Sequence, residues 1–318
     1  MTDSKGFNTK AIHSGAAPDP TTGARATPIY QTTSYVFENN DHAADLFAGR
    51  AFGNIYTRIM NPTQDVLEKR VAELEGGTAA LAVASGHAAQ FLAFHPLMSP
   101  GNEFIASNKL YGGSINQFNH SFKKFGWNVQ WANENEIDSY KRLVNEKTRA
   151  IFVESIANPG GIITDLEPIA KVAEDAGVPL IVDNTMATPY LCKPFNHGAN
   201  IIIHSLTKFL GGQGNSVGGI IVDGGNFDWS KNDKYPDLSQ PHPSYHGLKF
   251  HKTFGGMGYA IVCRFLALRD LGPAISPFNA FLILNGIETV PLRMKQHSSN
   301  ALEVAKFLES HSKVSWVS

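Results

Sequence analysis

Val178-Pro179-Leu180-Ile181-Val182-Asp183-Asn184-Thr185 and, a few residues on, Ala199-Asn200-Ile201-Ile202-Ile203-His204-Ser205-Leu206-Thr207-Lys208 decide the fold. Each is a short run, apolar at every position, that ends abruptly in polar residues. Strands of a parallel sheet covered by helices on both sides read this way. Similar runs stand at 79–84, 103–107, 127–131, 149–154 and 217–223, and helical patterns near 87–98, 114–125, 136–145 and 166–176 separate the first five strands. This rhythm predicts an α/β fold, a mostly parallel sheet with helices on both faces. In such sheets ligands bind beyond the carboxyl ends of the strands.

Outside this core, residues 1–60 lack helical periodicity and read as an extended arm, with a β-prone stretch from Ile29 to Phe37. The first clear helix opens at Asn61-Pro62-Thr63, an N-cap followed by Pro, and Gly76-Gly77 ends it. Residues 225–257 form a Pro-, His- and Trp-containing loop. Helical stretches follow at about 258–270, 278–286 and 290–311, and Val314–Ser318 reads as a strand. The expected division is an arm over 1–60, a cofactor domain over 61–257, and linking helices with the start of a truncated C-terminal domain over 258–318.

The chain has 318 residues, 42% of them hydrophobic and 17% charged, which excludes disorder and a coiled coil. With 27 Lys+Arg against 28 Asp+Glu, charge offers nothing to draw nucleic acid or an anionic membrane. No apolar run reaches the ~18 residues of a membrane span, and the opening MTDSKGFNTK is too polar for a signal peptide. Cys192 and Cys263 form no disulfide framework, so a reducing cytoplasm is expected.

Several motifs fail. There is no dinucleotide or P-loop glycine pattern. Gly214-Asn215-Ser216-Val217-Gly218 matches a hydrolase nucleophile elbow, but the strand follows Ser216 instead of preceding it. An α/β-hydrolase using Ser216 is the alternative from another class of enzyme, beside a non-catalytic binding protein. His242, His246 and His251 lie close in sequence, but Pro241 and Pro243 disfavour a helix that would align them on a metal, and no metal site is expected.

The strand ends carry the chemistry. Asp183 closes one strand, and Ser205, Thr207 and Lys208 close the next. Taken singly, Asp183 is as easily a turn cap and Lys208 a solvated surface amine. Together they supply what pyridoxal 5'-phosphate needs: a Schiff-base lysine, hydroxyls for the phosphate, and a carboxylate that keeps the pyridine nitrogen protonated. Ser85-Gly86-His87-Ala88 follows a strand and opens a helix, where free N–H groups favour an anion.

The sequence resembles the Cys/Met-metabolism family of pyridoxal-phosphate enzymes, of the aspartate-aminotransferase-like fold (fold type I), from about Gly23 onward. The resemblance rests on Tyr56–Thr63, Ser85-Gly86, Leu110–Gly113, Glu154–Pro159, Val182–Thr185 and His204–Gly212. It implies that Lys208 binds the cofactor and then moves protons along the substrate, and that Asp183, beside Thr185, pairs with the ring nitrogen. Gly86, His87 (through its backbone N–H), Ser205 and Thr207 would hold the phosphate. Tyr111 would stack on the ring, and Asn158 would reach the phenolic oxygen and the substrate carboxylate. Tyr56 and Arg58 would reach the phosphate of a neighbouring subunit, so that a homodimer is the smallest complete unit and a tetramer is expected. The expected catalytic side chains are Lys208, Tyr111 and Tyr56.

Within the family, the 225–257 insertion and Leu268–Phe281 resemble the O-acetylhomoserine sulfhydrylases. This implies γ-replacement: sulfide or a thiol displaces acetate from O-acetylhomoserine to give homocysteine or methionine. Cystathionine γ-synthase and γ-lyase are the alternatives within the family. Methionine-cleaving relatives carry Cys where this chain has Gly113, and His87 and Met186 depart from the usual Met or Gln and Phe. Family members continue for about another hundred residues, which would carry the Arg for the substrate carboxylate.

Overall fold

The computed structural model describes residues 5–318. Of the polar opening stretch, positions 1–4 lie outside the described residues. Seven strands form one sheet: β1 (Ala79–Val83), β2 (Glu103–Ser107), β3 (Asn128–Ala132), β4 (Thr148–Glu154), β5 (Leu180–Asp183), β6 (Ile201–Ser205) and β7 (Gly219–Asp223). Their order is β1-β7-β6-β5-β4-β2-β3, and β7 alone runs antiparallel to its neighbours. All seven expected strands are present.

Alternate residues along each strand serve opposite faces. Ile181, Ile201 and Ile203 pack on one side with Phe94, Phe104, Phe118 and Phe152. Leu180 and Val182 pack on the other with Ile169 and Val172, and Ile202 packs there with Leu67 and Val71. Because both faces are covered, the strands are apolar at every position.

Helix α1 spans Phe7–His13, α2 Asn40–Phe47, α3 Pro62–Glu75 and α4 Gly86–Phe94. Asn61 caps α3 by accepting from Thr63 N, and Gly76 ends it at φ 85°, a left-handed conformation that suits glycine. Next come α5 (Gly112–Asn116), which continues into π and 3-10 turns through Phe125, then α6 (Ile137–Leu143) and α7 (Leu166–Ala176). The last two long helices are Pro277–Glu288 and Val290–Glu309.

Three local expectations are corrected. Two helices precede residue 61, because α1 buries only Ala11 and α2 only Leu46, too little to write a period into the sequence. Ile29–Phe37 forms no strand beyond a single bridge from Ser34 to Tyr56. Its backbone is satisfied otherwise: Tyr30 N donates to Thr63 Oγ1 at 3.0 Å, and Gln31 and Thr32 close tight local turns. Val314–Ser318 is irregular, with Trp316 75% exposed, because no described strand lies beside it.

Candidate active site

The loops at the carboxyl ends of β4, β5 and β6 meet the start of α4. Ser85 ends its strand in extended conformation and caps α4, accepting from Ala88 N at 3.1 Å. The N–H groups of Gly86 and His87 in the first turn are left for an outside acceptor. Gly86 is required by packing: a Cβ there would lie 2.8 Å from Ser205 Cβ and 3.2 Å from its Oγ. Glycine therefore lets the positive end of a helix reach a hydroxyl on β6, which makes an anion cradle.

Asp183 ends β5. Its Oδ1 accepts from Thr185 N at 3.0 Å and from Thr185 Oγ1 at 2.5 Å, while Oδ2 takes neither. The same Thr185 hydroxyl accepts from Ser205 N at 2.8 Å, tying the two strand ends together. Three residues on, Lys208 stands in the turn after β6, exposed, and its amine makes no hydrogen bond or ion pair with a described residue. Arg293 braces this turn, donating to Phe209 O at 2.7 Å and to Gly286 O at 2.8 Å. Thr207 sits in the same turn, its hydroxyl donating to Gly218 O and accepting from Gly218 N.

Tyr111 and Asn158 approach from the other side. Glu154, at the end of β4, accepts from Tyr111 N at 2.7 Å and from Asn158 N at 3.0 Å. The Tyr111 ring meets that of His87 edge-on at 6.0 Å. Glu154 is paired in register with Asp183, so the circuit Asp183–Thr185–Ser205–Gly86–His87–Tyr111–Glu154 closes on itself. Tyr56 and Arg58 stand apart. They line a separate cleft of about 530 Å³ with Arg269 and Asp270, and Arg58 donates to Arg269 O. They make no hydrogen bond or ring contact with the other candidates. Ser216 lies in the turn before β7, donating weakly to Asn279 O at 3.4 Å; no nucleophile elbow is built there. His242 and His251 face Asp237 and Asp228 separately, and no metal-binding cluster is found among the described residues.

Electrostatically the strand ends bring two acids together. Burial raises the Asp183 carboxyl above its ordinary range, opposed by Thr185 and, more weakly, by His204. Burial, reinforced by Asp183, pushes Glu154 from its ordinary 4.5 up to about 8. A pyridinium beside Asp183 would set a positive charge against it. The glycine-dependent anion cradle, a free amine and the Asp183 carboxyl together fit pyridoxal phosphate.

Sequence reading passed over several supporting residues. Glu154 is one. Another is Gln90 on α4, which donates to Ser114 Oγ at 2.7 Å and lies beside Asp183. A third is the fully buried His204–Glu75 pair at 2.6 Å beneath the strand ends. Glu75 also accepts from Asn184, which in turn accepts from Ser155. The signal for Glu154 was present, since its strand ends on a carboxylate just as that of Asp183 does.

The Glu154 shift carries a pH signature. The folded chain retains a proton there that the unfolded chain releases above about 4.5, so stability is fullest below that value and falls as pH rises towards 8. Melting temperatures of the cofactor-free protein are expected to decline over this interval, and less steeply in Glu154→Gln. A steeper decline in that variant would contradict the assignment.

The fold and this site define a pyridoxal-phosphate-dependent enzyme of fold type I. Residues 8–318 match the family described as Cys/Met metabolism PLP-dependent enzyme. The chain is 53% identical over 317 residues to the O-acetyl-L-homoserine sulfhydrylase of Leptospira meyeri, covering 97% of this chain and 72% of that protein. It is 48% identical to the homocysteine synthase of Schizosaccharomyces pombe, covering 99% and 74%. A crystal structure from Campylobacter jejuni, described as an O-acetylhomoserine (thiol)-lyase with a pyridoxyl-lysine monophosphate, superposes with a TM-score of 0.93 at 41% identity, covering 97% and 76%. The chain belongs to the Cys/Met-metabolism family of pyridoxal-phosphate enzymes.

Proposed function

We propose that this chain catalyses γ-replacement on O-acetylhomoserine, in which sulfide or a thiol displaces acetate to give homocysteine or methionine. The observation that carries this reading is the convergence of Lys208, Asp183 and the Gly86–Ser205 cradle at one sheet end, in a chain whose relatives bear that activity in their names. When bound, pyridoxal phosphate supplies an electron sink for negative charge developing on the substrate carbons.

The chain's own residues do the rest. The N–H groups of Gly86 and His87, with the hydroxyls of Ser205 and Thr207, hold the phosphate. Asp183, oriented by Thr185, keeps the ring nitrogen protonated. Tyr111 covers the ring, and Asn158 orients the phenolic oxygen and the substrate carboxylate. Lys208 would bind the cofactor, be released when the substrate amine takes its place, take the α-proton, hand that proton on, and only then take a β-proton. Loss of the Cγ–O bond releases acetate, the sulfur nucleophile forms the Cγ–S bond, and Lys208 returns the protons. Gly113 supports this branch over methionine cleavage: a Cβ there would fall 2.4 Å from Tyr111 Cε1 and 3.0 Å from His87 Nε2, space those rings already fill. The two unpaired cysteines suit a reducing cytoplasm.

The test is a competition of nucleophiles. Purified enzyme supplied with O-acetylhomoserine is expected to turn over faster with sulfide than with cysteine, and to release little 2-oxo acid when no nucleophile is added. A preference for cysteine would favour cystathionine γ-synthase instead, and 2-oxo acid release without any nucleophile a γ-lyase.

The separate placement of Tyr56 and Arg58 fits a homodimer in which each subunit completes its partner's phosphate site, with a tetramer as a pair of such dimers. Arg58→Ala and Lys208→Ala, each inactive alone, would then complement one another. Random reassociation of equal amounts puts half the dimers in the mixed form with one intact site each, restoring about a quarter of wild-type activity. No recovery after subunit exchange would place both residues in the same subunit's site.

A further inference from the structure

Glu154 is 5% exposed, yet its carboxylate is engaged with backbone and with no cation. Oε1 accepts the N–H of Tyr111, which opens α5 after β2, and Oε2 accepts the N–H of Asn158, in the loop after β4. The two loops are distant in sequence and are joined here by one side chain. Its own backbone is fixed too, because Thr164 Oγ1 donates to Glu154 O at 2.5 Å and also touches Glu134 Oε1 at 2.8 Å.

We propose that Glu154 is a positioning residue for the cofactor ring, clamping Tyr111 and Asn158 at a fixed separation and tying both to the strand that pairs with Asp183. This rests on the reading that the strand-end site holds pyridoxal phosphate. The stacking ring, the phenolic-oxygen partner and the ring-nitrogen partner then move as one unit.

Chemistry explains why a carboxyl group is used. Even protonated, it keeps a lone pair on each oxygen, so the carbonyl and hydroxyl oxygens can each accept an N–H, whereas the amide nitrogen of glutamine only donates and would turn an N–H against an N–H. The clamp is kept despite the cost of burying an acid beside Asp183, which is why Glu154 holds its proton up to about pH 8. Contacts that cost free energy and serve no cation point to geometry as what is being preserved.

Glu154→Gln and Glu154→Asp, compared with wild type after reconstitution with pyridoxal phosphate, test this. Visible circular dichroism reports how the ring is held, and titration reports cofactor affinity. In Glu154→Gln the visible ellipticity per bound cofactor should fall or invert, and the cofactor dissociation constant should rise about tenfold, as for loss of roughly one hydrogen bond. Glu154→Asp keeps the carboxyl group and both oxygens but is one methylene too short to span both N–H groups, so its ellipticity should move in the same direction. Wild-type ellipticity and affinity in both variants would overturn the proposal. So would failure of both to melt cooperatively, since Glu154 would then serve folding and not the ring. A wild-type chain that takes up no cofactor would remove the underlying reading, and this proposal with it.

Discussion

Replacing Lys208 with Ala is expected to abolish both the visible absorbance of lysine-bound cofactor and turnover. The amine has two tasks in this account: it bonds the cofactor, and it carries protons between substrate carbons. General acid–base catalysis alone contributes about 10²–10⁴-fold, and losing covalent attachment adds to that, so kcat should fall by at least about 10³-fold. The fold should survive. Lys208 is exposed and its side chain bonds to nothing described, while the turn that carries it is braced by Arg293 through Phe209 O. A folded variant that keeps its turnover would end the account, and mere weakening of cofactor binding would show that Lys208 serves only to hold it.

The second large effect is expected at Asp183. Asp183→Asn keeps an acceptor for Thr185 N and Thr185 Oγ1, so the link to Ser205 through the Thr185 hydroxyl should persist. What it removes is the negative charge that keeps a ring nitrogen protonated. Loss of one preorganised electrostatic partner typically costs about 10²–10³-fold in kcat, and that is the expected drop here. The neighbourhood sharpens the prediction. Burial has already raised the Asp183 carboxyl, and Glu154 lies beside it, so two acids adjoin at the strand ends. Stopped-flow spectra should show substrate binding with little carbanionic absorbance in the variant. Undiminished kcat in Asp183→Asn would mean that the carboxylate caps a turn and does nothing to the ring.

How much of this was legible in the sequence follows from burial. Strands such as Leu180–Asp183 and Ile201–Ser205 are covered on both faces, so their composition alone marks them, and their polar ends mark where ligands gather. Asp183 and Lys208 were legible because each follows such a run directly. Glu154 follows one as well, yet its importance lies in the register of β4 against β5 and in two backbone N–H groups from distant loops. Neither is written in any local pattern. The helices α1 and α2 were hidden because each buries a single residue. Ile29–Phe37 misled by composition: its β-branched and aromatic residues suit a strand, but Thr63 and local turns take the N–H groups a ladder would need. Tyr56 and Arg58 carry no local signal at all, and only the family resemblance singled them out.

The most direct measurement is to reduce the reconstituted wild-type protein with borohydride, digest it and locate the pyridoxyl group by mass spectrometry. One group per chain is expected, on the peptide containing Lys208. A pyridoxyl group on another lysine, or none on a folded chain, would contradict this.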